Sequence, residues 1–344
     1  MAALARFVIA VCVVLGISVP ASAEDIFFFR IGTGSTGGTY FPVGGIIASA
    51  ISKPPGSREC EAGGSCGVPG LIAVAQSTEG SVANILGIAD GTLESGFSQA
   101  DITYWAYKGE GIFKDRGPIT GLRTIANLFP ESVHIVVRRN AGIHSVADLR
   151  GKRVSIDREG SGTRVDALLI LKAYGLTLKD IEAVSVASGD AADMLREGTL
   201  DAFIMVVGTP GKAVADLAED SLIDLVPVTG PPAERLMQTY PFFSRDRIRA
   251  GTYFNVAETE TVSVGAQWLV SARMPESLIY GITRALWHPN TRRLLDSGHP
   301  KGKQITLASA LDGLVVPLHP GARRYYLEAG LDIPDLPDPP GGSN

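Results

Sequence analysis

A strand followed by a loop of glycine and hydroxyl residues and then by a helix is the pattern that most restricts the fold of this chain. It occurs first in IFFFRIGTGSTGGTYFPVGGIIASAIS, residues 26–52, and again in RVSIDREGSGTRVDALLILKAYG, residues 153–175. Such β-then-α units build a mostly parallel sheet with helices on both faces. The sequence therefore predicts an α/β protein.

The same alternation continues between and after the two units. LIAVAQ (71–76), LESGFSQ (93–99), RTIANLF (123–129) and HIVVRR (134–139) read as strands, and the pattern restarts after Asn140. A chain of 344 residues exceeds the size at which a single core stops growing, so we expect two lobes facing a cleft. HIVVRR and TVSVGAQWLV (261–270) are the predicted crossing strands. Lobe 1 then comprises 24–133 and 262–344, lobe 2 comprises 134–261, and the proline-rich residues 332–344 form a flexible tail.

The first 23 residues have the composition of a secretory signal peptide. Arg6 precedes a thirteen-residue apolar run, FVIAVCVVLGISV, and PASA supplies the small residues that a signal peptidase reads. We expect cleavage after Ala23 and a periplasmic mature chain. The alternative is an uncleaved anchor or a buried helix, although the run is shorter than the roughly 20 residues of a membrane span.

The first glycine loop also matches the dinucleotide-binding pattern G-x-G-x-x-G through Gly32, Gly34 and Gly37. That pattern requires an acidic residue about 20 positions later that binds ribose. Glu59 and Glu61 are the nearest acidic residues, and they lie in a loop rich in Gly, Pro, Ser and Cys rather than at a strand end. Export behind a signal with a single arginine also argues against a bound cofactor. We therefore predict no cofactor.

Both loops have the chemistry of an anion site. A helix N-terminus presents unpaired N–H groups and a partial positive charge, glycines let a ligand approach the backbone, and hydroxyls add donors. Facing each other, the loops would grip the two ends of a small dicarboxylate or amino acid. Ordinary helix capping is the alternative for each loop taken alone. The candidate ligand-binding residues of the two loops are Gly34, Ser35, Thr36, Gly38, Thr39, Tyr40, Ser161, Gly162, Thr163 and Arg164.

Charge and motif content disfavour other functions. The formal net charge of −5 is spread along the chain without a basic run, so nucleic acid is not an expected partner. Neither Ser35 nor Ser161 lies in a G-x-S-x-G elbow. The five histidines lack H-E-x-x-H or other metal-binding spacing. We predict that the protein is not an enzyme and holds no metal.

Two of the three cysteines remain after signal cleavage. Cys12 is removed, and Cys60 and Cys66 form a pair within RECEAGGSCG, in a compartment that permits disulfides. We predict that Cys60 and Cys66 are bonded. Zinc binding is the alternative, although two thiols without a histidine nearby in the sequence make an incomplete site.

Seven sequence blocks occur in order over almost the whole mature chain, namely IGTGSTGGTYFPVGG, TEGSVANILGIADG, QADITYWAYKG, ADLRGKRVSI with GSGTRVDALLIL, GTLDAFIMVVGTP, YPFFSRDRIRAGTY and VPLHPGARRYYLEAG. Together they resemble the TAXI family, the substrate-binding receptors of TRAP transporters. The resemblance implies a two-lobed periplasmic binding protein of type II topology. Such a receptor delivers a small organic acid, such as glutamate or a dicarboxylate, to an ion-coupled membrane permease. A receptor that feeds a sensor kinase shares the same features and remains the alternative.

The resemblance also suggests particular site residues. Thr39 and Tyr40 match the family's first loop, Ser161 and Thr163 match the second, and the Cys60–Cys66 loop is an elaboration that not every member has. Arg164 is a ligand contact or, alternatively, a solvent-facing helix residue. Four further positions are assigned by the match: Gln99 and Asp101 of the Q-x-D motif, where Asp101 is alternatively an N-cap, and Gly208 and Thr209, which follow the strand IMVV.

Overall fold

A computed structural model describes residues 26–220 and 222–336 of the chain. Up to Arg138 its strands and α-helices are β1 (Phe27–Gly32), α1 (Tyr40–Ile51), β2 (Ser52–Lys53), β3 (Val68–Pro69), β4 (Leu71–Gln76), α2 (Ser81–Asp90), β5 (Ser95–Gln99), α3 (Ala100–Lys108) and β6 (Leu122–Arg138). They continue with β7 (Arg153–Ser155), α4 (Gly162–Ala173), β8 (Glu182–Val184), α5 (Ser188–Glu197), β9 (Ala202–Val207), α6 (Lys212–Glu219), β10 (Ile223–Leu225), α7 (Gly230–Thr239), β11 (Ser244–Ile248), β12 (Thr259–Ser271), α8 (Glu276–Leu286), α9 (Pro289–Gly298) and α10 (Pro320–Glu328). The predicted signal segment, residues 1–23, lies outside the described residues.

The main sheet is mixed and has the strand order β4-β1-β5-β12-β6-β9-β7-β8, with β10 paired to β6 and β11 to β12. The strands at each end are parallel to one another, whereas β12 runs antiparallel to both β5 and β6. We call the part built on β1, β4 and β5 the β1 side, and the part built on β7, β8 and β9 the β9 side. The α/β prediction is confirmed.

Two long strands join the two sides. β6 has 17 residues and β12 has 13, and they pair along most of their lengths. The segments 134–139 and 261–270, predicted to cross between the lobes, lie almost entirely within these strands. The prediction of separate strands at 123–129 and 134–139 was wrong, because the backbone continues through Pro130 opposite Gly265. Glu131 is thereby fixed inside a strand at the centre of the molecule.

Side chains that alternate along the strands supply a core on each face of the sheet. In β9, Phe203 and Met205 pack with α5 and α6, whereas Ile204 packs on the opposite face with α4 and α7. In β12, Trp268 and Leu269 likewise enter two different clusters on the β1 side. Strands buried on both faces explain the nearly continuous apolar runs in the sequence.

The C-terminal helices α8, α9 and α10 return to the β1 side and pack around α1. The first residues of the predicted tail also contact this core, since Ile333 and Leu336 are partly buried against it. The rest of that predicted tail, residues 337–344, lies outside the described residues.

The loop between β2 and β3 is closed by a disulfide. Cys60 and Cys66 are bonded, with their Cα atoms 4.7 Å apart, as predicted. Tertiary packing brings His288 beside the bond, with its Nε2 3.9 Å from Cys60 Sγ, although His288 is 228 residues away in the sequence. The Asn290 side-chain amide lies 2.8 Å from Cys66 Sγ. The disulfide therefore closes the loop, and contacts with His288 and Asn290 attach the loop to the start of α9.

We predict that replacing both Cys60 and Cys66 by serine lowers the free energy of unfolding by about 2 kcal/mol, because a short closed loop restricts the unfolded chain by that amount. Urea titration of the oxidised wild type and of the double variant measures the difference. Equal stabilities of the two proteins would contradict the prediction.

Candidate functional site

A cavity of about 320 Å³ lies between the β1 side and the β9 side. Its walls are loops that follow the carboxyl ends of four strands, namely β1, β4, β7 and β8. Its floor includes Gln99, Glu131 and residues 205–207 at the end of β9. The volume suits a small metabolite, since ligand pockets begin at roughly 300 Å³.

Four helices begin at this cavity, two from each side. The first residues of α1, α2, α4 and α5 are Tyr40, Ser81, Gly162 and Ser188, and all four line it. The first N–H groups of a helix have no partner within the helix, and its N-terminus carries roughly half a positive charge. The cavity therefore has the electrostatics of an anion site without requiring a free basic side chain.

Most of the residues that the sequence suggested for the site share this one cavity. Those that line it are Gly34, Ser35, Thr36, Gly38, Thr39, Tyr40, Gln99, Ser161, Gly162 and Thr163. Four others do not line it. Asp101 is fully buried in the first turn of α3, Arg164 donates to the Ser185 hydroxyl at the surface, and Gly208 and Thr209 lie in the loop after β9.

The first glycine loop is held against the β9 side by three hydrogen bonds. Thr39 Oγ1 donates to the Gly208 carbonyl over 2.5 Å, and the Ser35 and Ser188 hydroxyl oxygens are 3.0 Å apart. The Ala213 N–H donates to the Gly37 carbonyl over 3.1 Å. The two sides are therefore in direct contact around the cavity. The Thr39 hydroxyl serves this contact rather than facing an open space.

The second loop is ordered by its own hydroxyls. Ser161 Oγ donates to Asp157 Oδ2 over 2.9 Å, and Thr163 Oγ1 accepts the Val206 N–H over 3.0 Å. Burial raises the pKa of the Asp157 carboxyl. Gly162 is required for close approach, because a Cβ there would stand only 1.6 Å from Gln99 Oε1.

A buried carboxyl forms part of the floor. Tyr40 donates its hydroxyl proton to Glu131 Oε2 over 2.5 Å, and both residues are buried. Burial raises the pKa of Glu131 to about 8, although the Tyr40 hydrogen bond and the Lys301 charge lower it in part. Glu131 consequently holds a proton at neutral pH and is able to donate a hydrogen bond.

Arg158 lies at the mouth of the cavity and is the one cation among the described residues that line it. Its guanidinium pairs with Glu79 of the β1 side at 3.2 Å and with Asp190 of the β9 side at 3.1 Å. All three groups are exposed, so these ion pairs contribute little to stability. Their geometric effect is to connect the two sides across the opening.

Sequence reasoning missed Glu79, Glu131, Asp157, Arg158, the loop 187–190 and most of the loop 77–81. A signal existed for the two loops, because STEGS follows the strand LIAVAQ and ASGD follows the strand at 182–184, each just before a helix. The same strand–loop–helix pattern had singled out the first two loops. No comparable signal marks Glu131, whose position depends on strand pairing.

One solved structure shares the fold at low sequence identity, and two others are similar at lower TM-scores. A protein of Bordetella bronchiseptica RB50 matches with a TM-score of 0.51 and 14% identity, over 88% of this chain and 98% of that chain. The periplasmic aliphatic sulphonate binding protein SsuA from Escherichia coli matches with a TM-score of 0.43 and 14% identity, over 87% and 78%. PhnD1 from Prochlorococcus marinus, solved with methylphosphonate, matches with a TM-score of 0.47 and 12% identity, over 80% and 95%.

A family model covers most of the sequence. It is the model of the NMT1-like family, and it matches residues 31–330, from the end of β1 to just beyond α10. The matched range includes every residue that lines the cavity. With this extent of match, the chain belongs to the NMT1-like family.

Proposed function

We propose that this protein is an extracytoplasmic solute-binding receptor that captures a small organic anion in the cavity between its two sides. The observation that carries the proposal is the convergence of four helix N-termini, two from each side, on one cavity of about 320 Å³. Backbone N–H groups at helix N-termini bind carboxylate and phosphate without a basic side chain. Among the described residues that line the cavity, the Ser161 hydroxyl is hydrogen-bonded to a carboxylate and not to a histidine, which favours binding over catalysis.

The lining residues favour a carboxylate ligand of modest size, such as glutamate or a dicarboxylate. Arg158 is already paired with two carboxylates, so the N–H groups and hydroxyls of the loops would supply most of the donors. Glu131 would add one more donor from the floor while it remains protonated. Enclosure strengthens these hydrogen bonds, because the effective dielectric falls as water is excluded.

Capture would proceed by closure of two lobes, composed of residues 24–133 with 262–344 and of residues 134–261, about the central strands. The bonds from Thr39 to Gly208 and between Ser35 and Ser188 would form as the lobes meet. A ligand shifts an open–closed equilibrium only by the contacts that it gains in the closed state. A solute touching loops from both lobes gains such contacts.

The sequence blocks that resemble the TAXI family support delivery of the solute to a TRAP-type membrane permease. In this proposal the receptor has type II topology, and the segment 1–23 directs export and is cleaved after Ala23. None of the described helices is long and apolar enough to cross a membrane.

Native mass spectrometry of protein purified from the periplasm tests the function directly. We expect a small organic acid to be released on denaturation and to rebind with one-to-one stoichiometry in calorimetry. Protein stripped of ligand by unfolding and refolding is the control. Release and rebinding of a neutral sugar or an organic cation would contradict the proposal.

Two substitutions of Gly189 that have the same shape, one charged and one neutral, test whether the ligand is an anion. A Cβ at Gly189 meets nothing within 4 Å, and the residue lines the cavity in the first turn of α5. Gly189→Asp should raise the Kd for the anion roughly tenfold or more, since two charges about 4 Å apart repel by about 1–4 kcal/mol. The isosteric Gly189→Asn should have a much smaller effect. Equal effects of the two variants would argue against an anionic ligand.

The intact mass of the exported protein checks the processing site. We expect a mature chain beginning at Glu24, because the small residues of PASA precede that bond. A mass that retains residues 1–23 would support the alternative of an uncleaved anchor.

A further inference from the structure

Two aspartates face each other behind the cavity, where α3 of the β1 side approaches α4 of the β9 side. Asp101 and Asp166 are both fully buried. The Gln99 side-chain amide donates to Asp166 Oδ2 over 3.0 Å. The other oxygen of Asp166 and both oxygens of Asp101 accept no hydrogen bond of good geometry from the part of the chain that the structure describes. Three buried carboxyl oxygens therefore lack a well-aligned donor.

The two carboxyl groups lie within hydrogen-bonding reach of one another. Two carboxylates that share a site excluded from water cannot both ionise at neutral pH. With one proton between them, the protonated group donates to the other and their contact becomes a hydrogen bond. Burial and the negative charge of Asp101 raise the pKa of Asp166 well above its ordinary value.

The described residues around the pair supply no counter-charge. Glu131 on β6 adds a further carboxyl that raises the pKa of Asp166, and Tyr40 on α1 also interacts with Asp101. The N–H groups at the start of α3 offset the burial of Asp101 only in part. On α4, the Arg164 guanidinium is directed to Ser185 at the surface.

We propose that the Asp101–Asp166 pair is a proton-binding site formed between the two sides, so that closure around the solute takes up one proton. The inference rests on the proposed lobe closure. In the open state each carboxylate faces water on its own side. On closing, a proton from solvent is transferred to Asp166, whose O–H then donates to the Asp101 carboxylate. On opening, the same proton returns to solvent.

If closure takes up a proton, the affinity for the solute must depend on pH. Because the closed state binds one proton more than the open state, closure is favoured at low pH and weakened as pH rises. The affinity should fall by up to about tenfold per pH unit above the ordinary aspartate range, until the pair also ionises in the closed state. Gly162 supports the site, since its missing side chain lets Gln99 reach Asp166.

Calorimetry with L-glutamate and with succinate, in buffers of different ionisation enthalpy, counts the protons. We expect wild type to take up close to one proton per solute near pH 7 and Asp166→Asn to take up close to none. The asparagine amide takes the place of the protonated carboxyl. Asp115→Asn, an exposed control, should behave as wild type. The reference protein and both variants carry Glu131→Gln, so that this third buried carboxyl contributes to none of the proton counts.

Proton uptake that is unchanged in Asp166→Asn, or binding that depends on Na⁺ and not on pH, would overturn the inference while leaving the proposed function intact. If neither titrant binds, that anion class fails, and urea unfolding of protein held closed by a Ser35→Cys/Ser188→Cys disulfide still tests the pair. Between pH 5.5 and pH 8.5 wild type should lose stability relative to Asp166→Asn, because the native state holds the extra proton. An identical pH dependence of the two proteins would overturn the inference by itself.

Discussion

The chemistry of this molecule depends on where its parallel strands end, because the strands of both sides end at the same cavity. The long strands β6 and β12 carry one sheet through both sides, and the parallel strands of each side end with their carboxyl termini at the same cavity. Helices that follow such strands begin there, so their unpaired N–H groups and partial charges add together. This arrangement supplies a positive potential from the backbone alone. The side chains that line the cavity are therefore free to be small, which the glycine and serine content of its loops reflects.

The same constraint explains how a site of this kind tolerates buried acids. Glu131, Asp157, Asp101 and Asp166 are all wholly or largely enclosed, and burial raises the pKa of each. Burial of a protonated carboxyl group costs less free energy than burial of a carboxylate that has no partner. Lys301, the nearest enclosed cation, has its own pKa lowered by burial. The centre of the molecule thus holds polar groups whose pKa values are shifted by burial, whereas the ion pairs of the described residues lie at exposed positions, such as Arg158, or at half-buried ones, such as Arg30.

Contacts between the two sides are polar around the cavity and aromatic behind it, where Tyr104 and Trp105 of α3 pack against Tyr240 and Phe242. Each side has apolar clusters on both faces of its sheet, built from alternating strand residues. Around the cavity, by contrast, the sides meet through hydroxyls, backbone carbonyls and the Gln99–Asp166 hydrogen bond. Such contacts are exchanged for water at small net cost. The polar contacts around the cavity are therefore compatible with the proposed opening and closing of the lobes. The Cys60–Cys66 loop lies outside the cavity lining, on the β1 side.

The sequence by itself determined the α/β class, the crossing strands, the Cys60–Cys66 bond and the two glycine loops, because hydrophobic period, turn chemistry and short loop closure are local properties. Only the tertiary structure decided which side chains meet. It brought Glu131 to the floor through the register of β6 against β12, joined two segments into one strand across Pro130, and set Asp101 opposite Asp166. It also placed Arg158 rather than Arg164 at the cavity. Strand order and helix rotation are fixed by packing between distant segments, and no local pattern encodes them.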